Sequence, residues 1–174
     1  MKRSEMLLAA ARELAVKNPS FQAVLGPGAG DRATARYLRE LQSIVSPGPD
    51  PCHEQRICGP TGFAVDFYLP EEQMIVEVAL GLPNSQSEFE KDILKAIIAK
   101  ELGSNVRRLM FISRAGAEKK CSQPGRKAVI AWARKNHDLS IEVHDLPGVP
   151  RKRVRRNGDA QGRKVSPITT THDS

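Results

Sequence analysis

The chain has 174 residues, of which 40% are hydrophobic and 27% are charged, a composition typical of a folded globular protein. This length allows one domain with a sizeable core, and no stretch approaches the roughly 20 consecutive apolar residues that span a bilayer. Its three cysteines, Cys52, Cys58 and Cys121, lack the spacing of a disulfide framework or a zinc site, so we expect reduced thiols. A cytoplasmic protein without membrane contact is therefore expected.

The net charge of +7 is unevenly distributed along the chain. Residues 151–174 contain seven Lys or Arg and two Asp, which leaves a net charge of only +2 for residues 1–150. A segment this basic and this poor in apolar residues is predicted to be disordered alone and able to hold a polyanion by counterion release. A solvated terminus without a partner is the alternative. The tail residues predicted to contact nucleic acid are Arg151, Lys152, Arg153, Arg155 and Arg156.

Two helices are predicted at the start of the chain, over 4–16 and 32–45, capped by Ser4 and Asp31. Arg12 interrupts the apolar run of the first helix, which favours an amphipathic helix over a secretion signal. The side chains predicted to face the core are Met6, Leu7, Ala10, Ala11 and Leu14 in the first helix, and Ala35, Leu38, Leu41 and Val45 in the second.

A mixed sheet with crossing helices is predicted for the rest of the chain. The helix after the third strand begins at a Ser87-x-x-Glu90 capping box, and its polar flank is Glu88, Lys91, Asp92 and Lys95. Because this helix joins two strands, those strands are predicted to pair in parallel. The predicted elements are strands at 54–58, 63–69, 74–80, 106–112 and 140–144, and helices at 87–102 and 123–136, the latter with Val129, Ile130 and Trp132 largely buried.

Each strand of the central hairpin carries one acid, Asp66 in the first and Glu77 in the second. A buried carboxylate costs several kcal/mol unless it is paired or binds a metal. With Glu71 and Glu72 as a two-residue loop, Asp66 lies opposite Glu77 with Cβ atoms roughly 5 Å apart. At that distance, the two carboxylates can share a divalent cation. A register shift of one residue would place them on opposite faces and remove the site.

The sequence around these acids, Asp66-Phe67-Tyr68 followed by Ile75-Val76-Glu77-Val78 and the helical Asp92-x-x-Lys95, resembles the core of the PD-(D/E)XK nuclease superfamily. The amino-acid sequence of this stretch is most similar to the branch of the very-short-patch repair endonucleases. The resemblance covers roughly residues 54–143. It implies an α/β fold with a restriction-endonuclease-like mixed β-sheet core flanked by helices, of αβββαβ type, here with extra N-terminal helices.

One position departs from the family pattern, because Ala79 stands where the family has a lysine that orients or activates water. Lys95 matches the family's Asp-x-x-Arg/Lys position, and Lys91 lies four residues before it on the same helix face. The resemblance therefore implies that Lys95, or failing that Lys91, supplies the missing cation. The alternative is that these residues are ordinary helix charges exposed to solvent. Glu40 corresponds to a helical acid that often touches the metal site, although an ordinary ion pair is favoured by its charged neighbours.

The expected protein is thus a single nuclease-like domain over 1–150, with a helical part at 1–46 and a sheet core at 52–146, followed by the basic tail at 151–174. The resemblance implies a Mg²⁺- or Mn²⁺-dependent endonuclease that hydrolyses phosphodiester bonds, with DNA as the expected substrate. Its metal ligands would be Asp66, Glu77 and the backbone carbonyl of Val78. The residues expected to contact the nucleic-acid backbone are Arg114, Lys119 and Lys120.

Two other functions stay open from the sequence. A non-cutting nucleic-acid-binding or scaffold protein on the same fold is supported by Ala79. A subunit of a larger DNA-processing assembly, with residues 151–174 as a docking segment, is the third hypothesis, and a homodimer is also compatible with the sequence. Duplex, mismatched, branched and RNA substrates all stay open, and no separate base-reading module is apparent.

Overall fold

A five-stranded mixed sheet separates two groups of helices in the computed structural model, which describes residues 1–22, 29–46 and 53–148. No helix in these ranges is long and apolar enough to cross a bilayer. The strands are β1 (His53–Gln55), β2 (Val65–Leu69), β3 (Met74–Val78), β4 (Arg108–Ser113) and β5 (Ser140–Asp145). The helices are α1 (Arg3–Lys17), α2 (Ala29–Val45), α3 (Gln86–Glu101), α4 (Ala117–Cys121) and α5 (Pro124–His137).

The strands lie in the order β1-β2-β3-β4-β5, antiparallel from β1 to β3 and parallel from β3 to β5. The predicted mixed α/β sheet and the parallel pairing across α3 are therefore confirmed. The assignment of this fold to the restriction-endonuclease type stays a prediction. The short helix α4 lies between the predicted strand at 106–112 and the predicted helix at 123–136, where no helix was predicted.

The predicted hairpin register is confirmed, with Phe67 paired to Val76 and Tyr68 to Ile75. The tip is a 3₁₀ turn over Pro70–Glu72. Gln73 closes this turn in the left-handed conformation at φ 52°, and its N–H donates to the carbonyl of Pro70 at 3.1 Å. The tip therefore holds the register without the glycine or asparagine that two-residue hairpin loops favour.

Both faces of β3 are buried, which is expected of a strand that helices cover on two sides. Met74, Val76 and Val78 pack in the cluster formed with α1 and α2. Ile75 and Ala79 pack in the opposite cluster, which contains the apolar side of α3. Because side chains alternate along a strand, Glu77 is directed to the α3 face.

The N-terminal half differs from the prediction in how its helices are anchored. Ser4 does not cap α1; it lies within the first turn, and its backbone N–H donates to the Glu72 carboxylate at 2.9 Å. Asp31 lies inside α2 rather than at its cap, and its side chain is outside the described residues. Tyr37, absent from the predicted core, is fully buried and donates its hydroxyl to the Ala11 carbonyl at 2.5 Å. A polar anchor thus joins each N-terminal helix to its neighbour.

Three further expectations about packing are wrong in detail. Trp132 is 49% exposed rather than buried, and its ring contacts His137 with centroids 4.8 Å apart. Met6 is 44% exposed, because α1 directs Leu7 and Ala11 to the sheet instead. Helix α3 begins at Gln86, and its cap is Ser85 rather than Ser87. The Ser85 hydroxyl accepts the N–H of Glu88 at 3.1 Å.

Candidate active site

Asp66 and Glu77 lie side by side on neighbouring strands, on the sheet face that α3 covers. Extending the observed pairing of Phe67 with Val76 by one residue brings the two acids opposite each other. The Asp66 carboxylate accepts the N–H of Val78 at 2.7 Å, which fixes its orientation. The predicted juxtaposition of the two carboxyl groups on one face is therefore present in the structure.

Burial dominates the electrostatics of these acids. It raises the pKa of Asp66 to about 6, although the Val78 N–H and the Lys95 ammonium favour the ionised form. The pKa of Glu77, a residue only 2% exposed, lies well above its usual value, first because of burial and then because of the Asp66 and Asp92 carboxylates. In the absence of added positive charge, the protein destabilises both carboxylates.

Lys95 reaches this pair of acids from α3. Its Nζ lies 3.2 Å and 3.3 Å from the two carboxylate oxygens of Glu77 and 2.9 Å from Asp92 Oδ1. Burial alone would lower the pKa of the amine, but Glu77 and Asp92 outweigh it and hold that pKa above its usual value. The Lys95 side chain is therefore a buried, permanently charged ammonium at neutral pH.

Asp92 is the third acid of the cluster and is only 3% exposed. Its Oδ1 lies 2.9 Å from Lys95 Nζ and has no other hydrogen-bond partner among the described residues. The alternative of solvated charges along this flank of α3 is thus wrong for Asp92 and Lys95. It holds for Lys91, which is exposed. Three carboxyl groups share one ammonium here, a net charge of −2 when all are ionised.

The acids open into a cleft of about 300 Å³ between α2 and α3. Helix α2 provides one wall, and the exposed amine-bearing side chain of Lys91 lies on the other. The cleft is lined by Thr34, Ala35, Leu38, Asp66, Glu77, Val78, Glu88, Lys91, Asp92 and Lys95. A second cavity, of about 280 Å³ between α1, α2 and β2, is mostly apolar and has Arg3 as its single charged lining residue. Of these two cavities, the first combines space with chemically active groups.

Ala79 lies two residues after Glu77 on the same face and is 1% exposed within the apolar cluster under α3. Its backbone is held by hydrogen bonds from its N–H to the Ile112 carbonyl at 3.0 Å and from the Ser113 hydroxyl to its own carbonyl at 2.6 Å. A lysine at this position would enter packed apolar surroundings. The ammonium that contacts Glu77 comes from the helix instead of the strand.

The chemistry of the cluster fits a hard divalent cation, since carboxylate and carbonyl oxygens are the ligands that Mg²⁺ and Mn²⁺ prefer. Within the ranges that the structure describes, no three side chains of His, Cys, Asp or Glu are grouped to hold an ion by themselves. A third ligand would therefore come from the backbone. The Val78 N–H is directed toward Asp66, and a strand residue directs its carbonyl to the same side as its N–H. Asp66, Glu77 and the Val78 carbonyl are thus compatible with one ion.

The residues predicted to contact nucleic acid do not lie together in the structure. Arg114 is half-buried and donates to the Leu80 carbonyl, and burial lowers its pKa while Glu88 opposes that shift. Lys119 and Lys120 belong to α4 and do not line the cleft. Arg151, Lys152, Arg153, Arg155 and Arg156 lie outside the described residues. Any contact from α4 would have to be made beyond the cleft itself.

Glu40 has the ordinary role that its neighbours favoured. Its carboxylate accepts hydrogen bonds from Arg36 at 3.2 Å and from Asn18 at 3.3 Å, and it does not line the cleft. The pair with Arg36 is one helical turn apart on an exposed face. Glu40 is therefore excluded from the group of acids around Glu77.

Arg126 positions the start of α3 and was missed as a site-supporting residue. It is 3% exposed and donates to the carbonyls of Leu82 and Ser85, both at 2.8 Å, and to the Gln86 side chain at 2.9 Å. Its guanidinium also lies 4.9 Å from the ring centroid of Phe89. The available signal was its position on α5, seven residues before the buried Ala133, where a helix repeats its inward face.

The chain was compared with protein-family models, with curated protein sequences and with solved structures, and none of the three comparisons gives a match. Evidence about function therefore comes from the geometry and charge of the cleft. Its central feature is a buried lysine shared by acids from a strand and from a helix.

Proposed function

We propose that the protein is a metal-dependent nuclease that hydrolyses phosphodiester bonds, with DNA as the expected substrate. The observation that carries this proposal is the Lys95 ammonium held against the buried Glu77 carboxylate, with Asp66 alongside, in an open cleft. Paired acids and a nearby cation are the groups that phosphodiester hydrolysis requires, since the reaction needs a held metal and stabilisation of developing negative charge.

Asp66 and Glu77 would hold the metal together with the Val78 carbonyl. A bound Mg²⁺ or Mn²⁺ supplies positive charge to the scissile phosphate and lowers the pKa of an attacking water. The raised pKa values of both acids support this role, because strongly perturbed carboxyl groups in a cleft are typical of functional sites. The hydrogen bond from Val78 keeps Asp66 directed into the cleft.

Lys95 would act by charge rather than as a base. Its pKa is held above the usual value, so the amine carries no free electron pair at neutral pH and does not accept a proton. A fixed ammonium in a water-poor cleft can instead orient a water molecule and stabilise the negative charge that develops on the phosphate. This role is the one that the lysine missing at Ala79 would otherwise perform.

Lys91 and the tail would bind the substrate. Lys91 lines the cleft and is exposed, so its amine can reach a phosphate next to the one that is cut. Contacts of this kind position a nucleic acid without reading its sequence. The basic residues of 151–174 would add affinity by counterion release and would make binding strongly dependent on salt.

A non-cutting nucleic-acid-binding protein is the second candidate, and a specific observation favours it. Both carboxylate oxygens of Glu77 are already engaged by Lys95, an arrangement that a purely structural ion pair would also have. In that case, the protein would bind nucleic acid without taking up metal. Metal binding is therefore the measurement that separates the two candidates.

The test is a plasmid-nicking assay with the full chain in Mg²⁺ or Mn²⁺. Glu77→Gln and Asp66→Asn should each lose at least about 100-fold in nicking rate, a loss typical of removing one charge-stabilising group. Glu101→Gln is the matched control, because Glu101 lies at the far end of α3 with its side chain 69% exposed, and it should retain full activity. Full activity of Asp66→Asn would refute the nuclease assignment. Nucleic-acid binding without metal uptake would favour the second candidate.

A further inference from the structure

The two carboxylates that contact the Lys95 ammonium differ in their other roles. Glu77 contacts the ammonium through both of its oxygens, at 3.2 Å and 3.3 Å, and is also the acid that the proposed function assigns to the metal. Asp92 contacts the same ammonium through Oδ1 at 2.9 Å, and that oxygen has no other hydrogen-bond partner among the described residues. A divalent ion that binds Glu77 would therefore meet the Lys95 ammonium on the same carboxylate.

We infer that the Lys95 ammonium competes with the divalent cation for Glu77, and that Asp92 is the positioning residue that retains the ammonium when Glu77 is given up. This inference rests on the proposed function. Asp92 is suited to the role because it lies three residues before Lys95 on α3, on the same helix face, where side chains contact each other. A lysine with three donors on a flexible chain can keep one carboxylate partner and release another.

The charges involved indicate that a divalent ion would displace the ammonium from Glu77. With Lys95 bound to Glu77, the ammonium is the resident cation of the acid cluster. A divalent ion that binds Asp66 and Glu77 brings greater charge, and the ammonium would be repelled unless Asp92 held it nearby. The remaining charged residues that line the cleft are Glu88 and Lys91. The ion pairs of the Lys95 amine are with Glu77 and Asp92.

The experiment measures Mn²⁺ affinity by calorimetry on the full chain, without nucleic acid, for the wild type, Lys95→Met, Asp92→Asn and the double variant. Removing the competing ammonium should tighten Mn²⁺ binding at least about tenfold, since unit charges a few ångströms apart in a protein interact by more than this factor. Asp92→Asn should weaken Mn²⁺ binding, because the ammonium then has only Glu77. In the double variant, the loss of Asp92 should weaken Mn²⁺ binding clearly less than it does in the wild type, because only its direct attraction for the cation remains and no ammonium is left to hold.

Two outcomes would overturn the inference alone. If Lys95→Met binds Mn²⁺ no more tightly than the wild type, the ammonium does not compete. If Asp92→Asn weakens binding as much in the Lys95→Met background as in the wild type, Asp92 acts on the metal directly and not through the lysine. Lys95→Gln, a neutral side chain that can still hydrogen-bond, repeats the comparison if Lys95→Met fails to fold, and it should show the same tightening.

The proposed function fails separately. Mn²⁺ binding with the expected pattern but without nicking of any nucleic acid would remove the nuclease assignment and leave the competition intact. Absence of Mn²⁺ binding in all four proteins would overturn both. The mutational pattern in Mn²⁺ affinity therefore tests Asp92 and Lys95 independently of catalysis.

Discussion

Replacing Asp66 with asparagine should stabilise the folded protein at neutral pH. The folded-state pKa of Asp66 is about 6 against an ordinary value of 3.8, so ionising this acid opposes folding. Linkage converts this difference of roughly two pH units into about 3 kcal/mol of lost stability once the pH exceeds 6. Asparagine has the same shape, can still accept the Val78 N–H and carries no charge, so the variant should recover roughly 1–3 kcal/mol.

The pH dependence gives the sign of this effect. Below pH 3.8, Asp66 is neutral in both the folded and the unfolded chain, so it contributes no difference. Between pH 3.8 and about 6, the folded state binds more protons than the unfolded state, and stability from this group falls as the pH rises. The advantage of Asp66→Asn should therefore be small at pH 3.5, grow through this window and be constant above pH 7.

Urea denaturation at pH 3.5, 5 and 7.5 measures the difference for both proteins. Asp138→Asn is the matched control, since the Asp138 side chain is 74% exposed and its pairs with Arg107 and Lys100 lie at 3.5 Å and 3.9 Å on the surface. This control should leave the shape of the pH profile unchanged. A variant that is less stable than the wild type at pH 7.5, or a difference independent of pH, would refute a destabilising Asp66.

Arg126→Met should lower the free energy of unfolding by about 2–4 kcal/mol, because it leaves two buried carbonyls before α3 without donors. Arg134→Met, on an exposed part of the same helix, is the control in urea denaturation. An equal loss of stability in this control would contradict the role of the Arg126 hydrogen bonds. Hydrogen bonds from the start of α1 hold the pKa of Glu72 below its usual value, although burial opposes this. Glu72→Gln should therefore lower the free energy of unfolding by about 1 kcal/mol at pH 7, the size of a lost hydrogen bond, and this deficit should vanish as the pH falls below 4.5; the exposed Glu71→Gln is the control. Trp132→Ser should change stability by less than about 1 kcal/mol in thermal denaturation, and a larger loss would contradict its observed exposure.

The hairpin register and the two facing acids were predictable because one pattern fixes both. With Glu71 and Glu72 as a two-residue loop, Asp66 falls opposite Glu77, and a shift of one residue would place the two acids on opposite faces of the sheet. The crossover through α3 fixed the parallel pairing with β4 in the same way. These features depend on local periodicity and connection length, which a single sequence contains.

The burial of Asp92 and Lys95 could not be predicted from helix periodicity, because charged residues on a helix are usually solvated. Their burial follows from Glu77, which lies on β3 under α3 and provides the partner that the α3 sequence alone does not reveal. The prediction that Trp132 is largely buried is wrong because a covering surface is missing. Helix α5 lies beside β5, the edge strand, so there is too little sheet to cover its whole apolar side.

Excess acid is the feature that favours the nuclease proposal over an ion pair that only supports the fold. A structural pair balances one charge against one, and salt-bridged carboxylates then have lowered pKa values. Here the pKa values of Asp66 and Glu77 are raised, so the acids oppose folding even with Lys95 in place. Groups that reduce stability are expected where function requires them, and the proposed cation is the charge that would offset them. Stabilisation by Mn²⁺ that disappears in Glu77→Gln would connect the destabilising acids to that function.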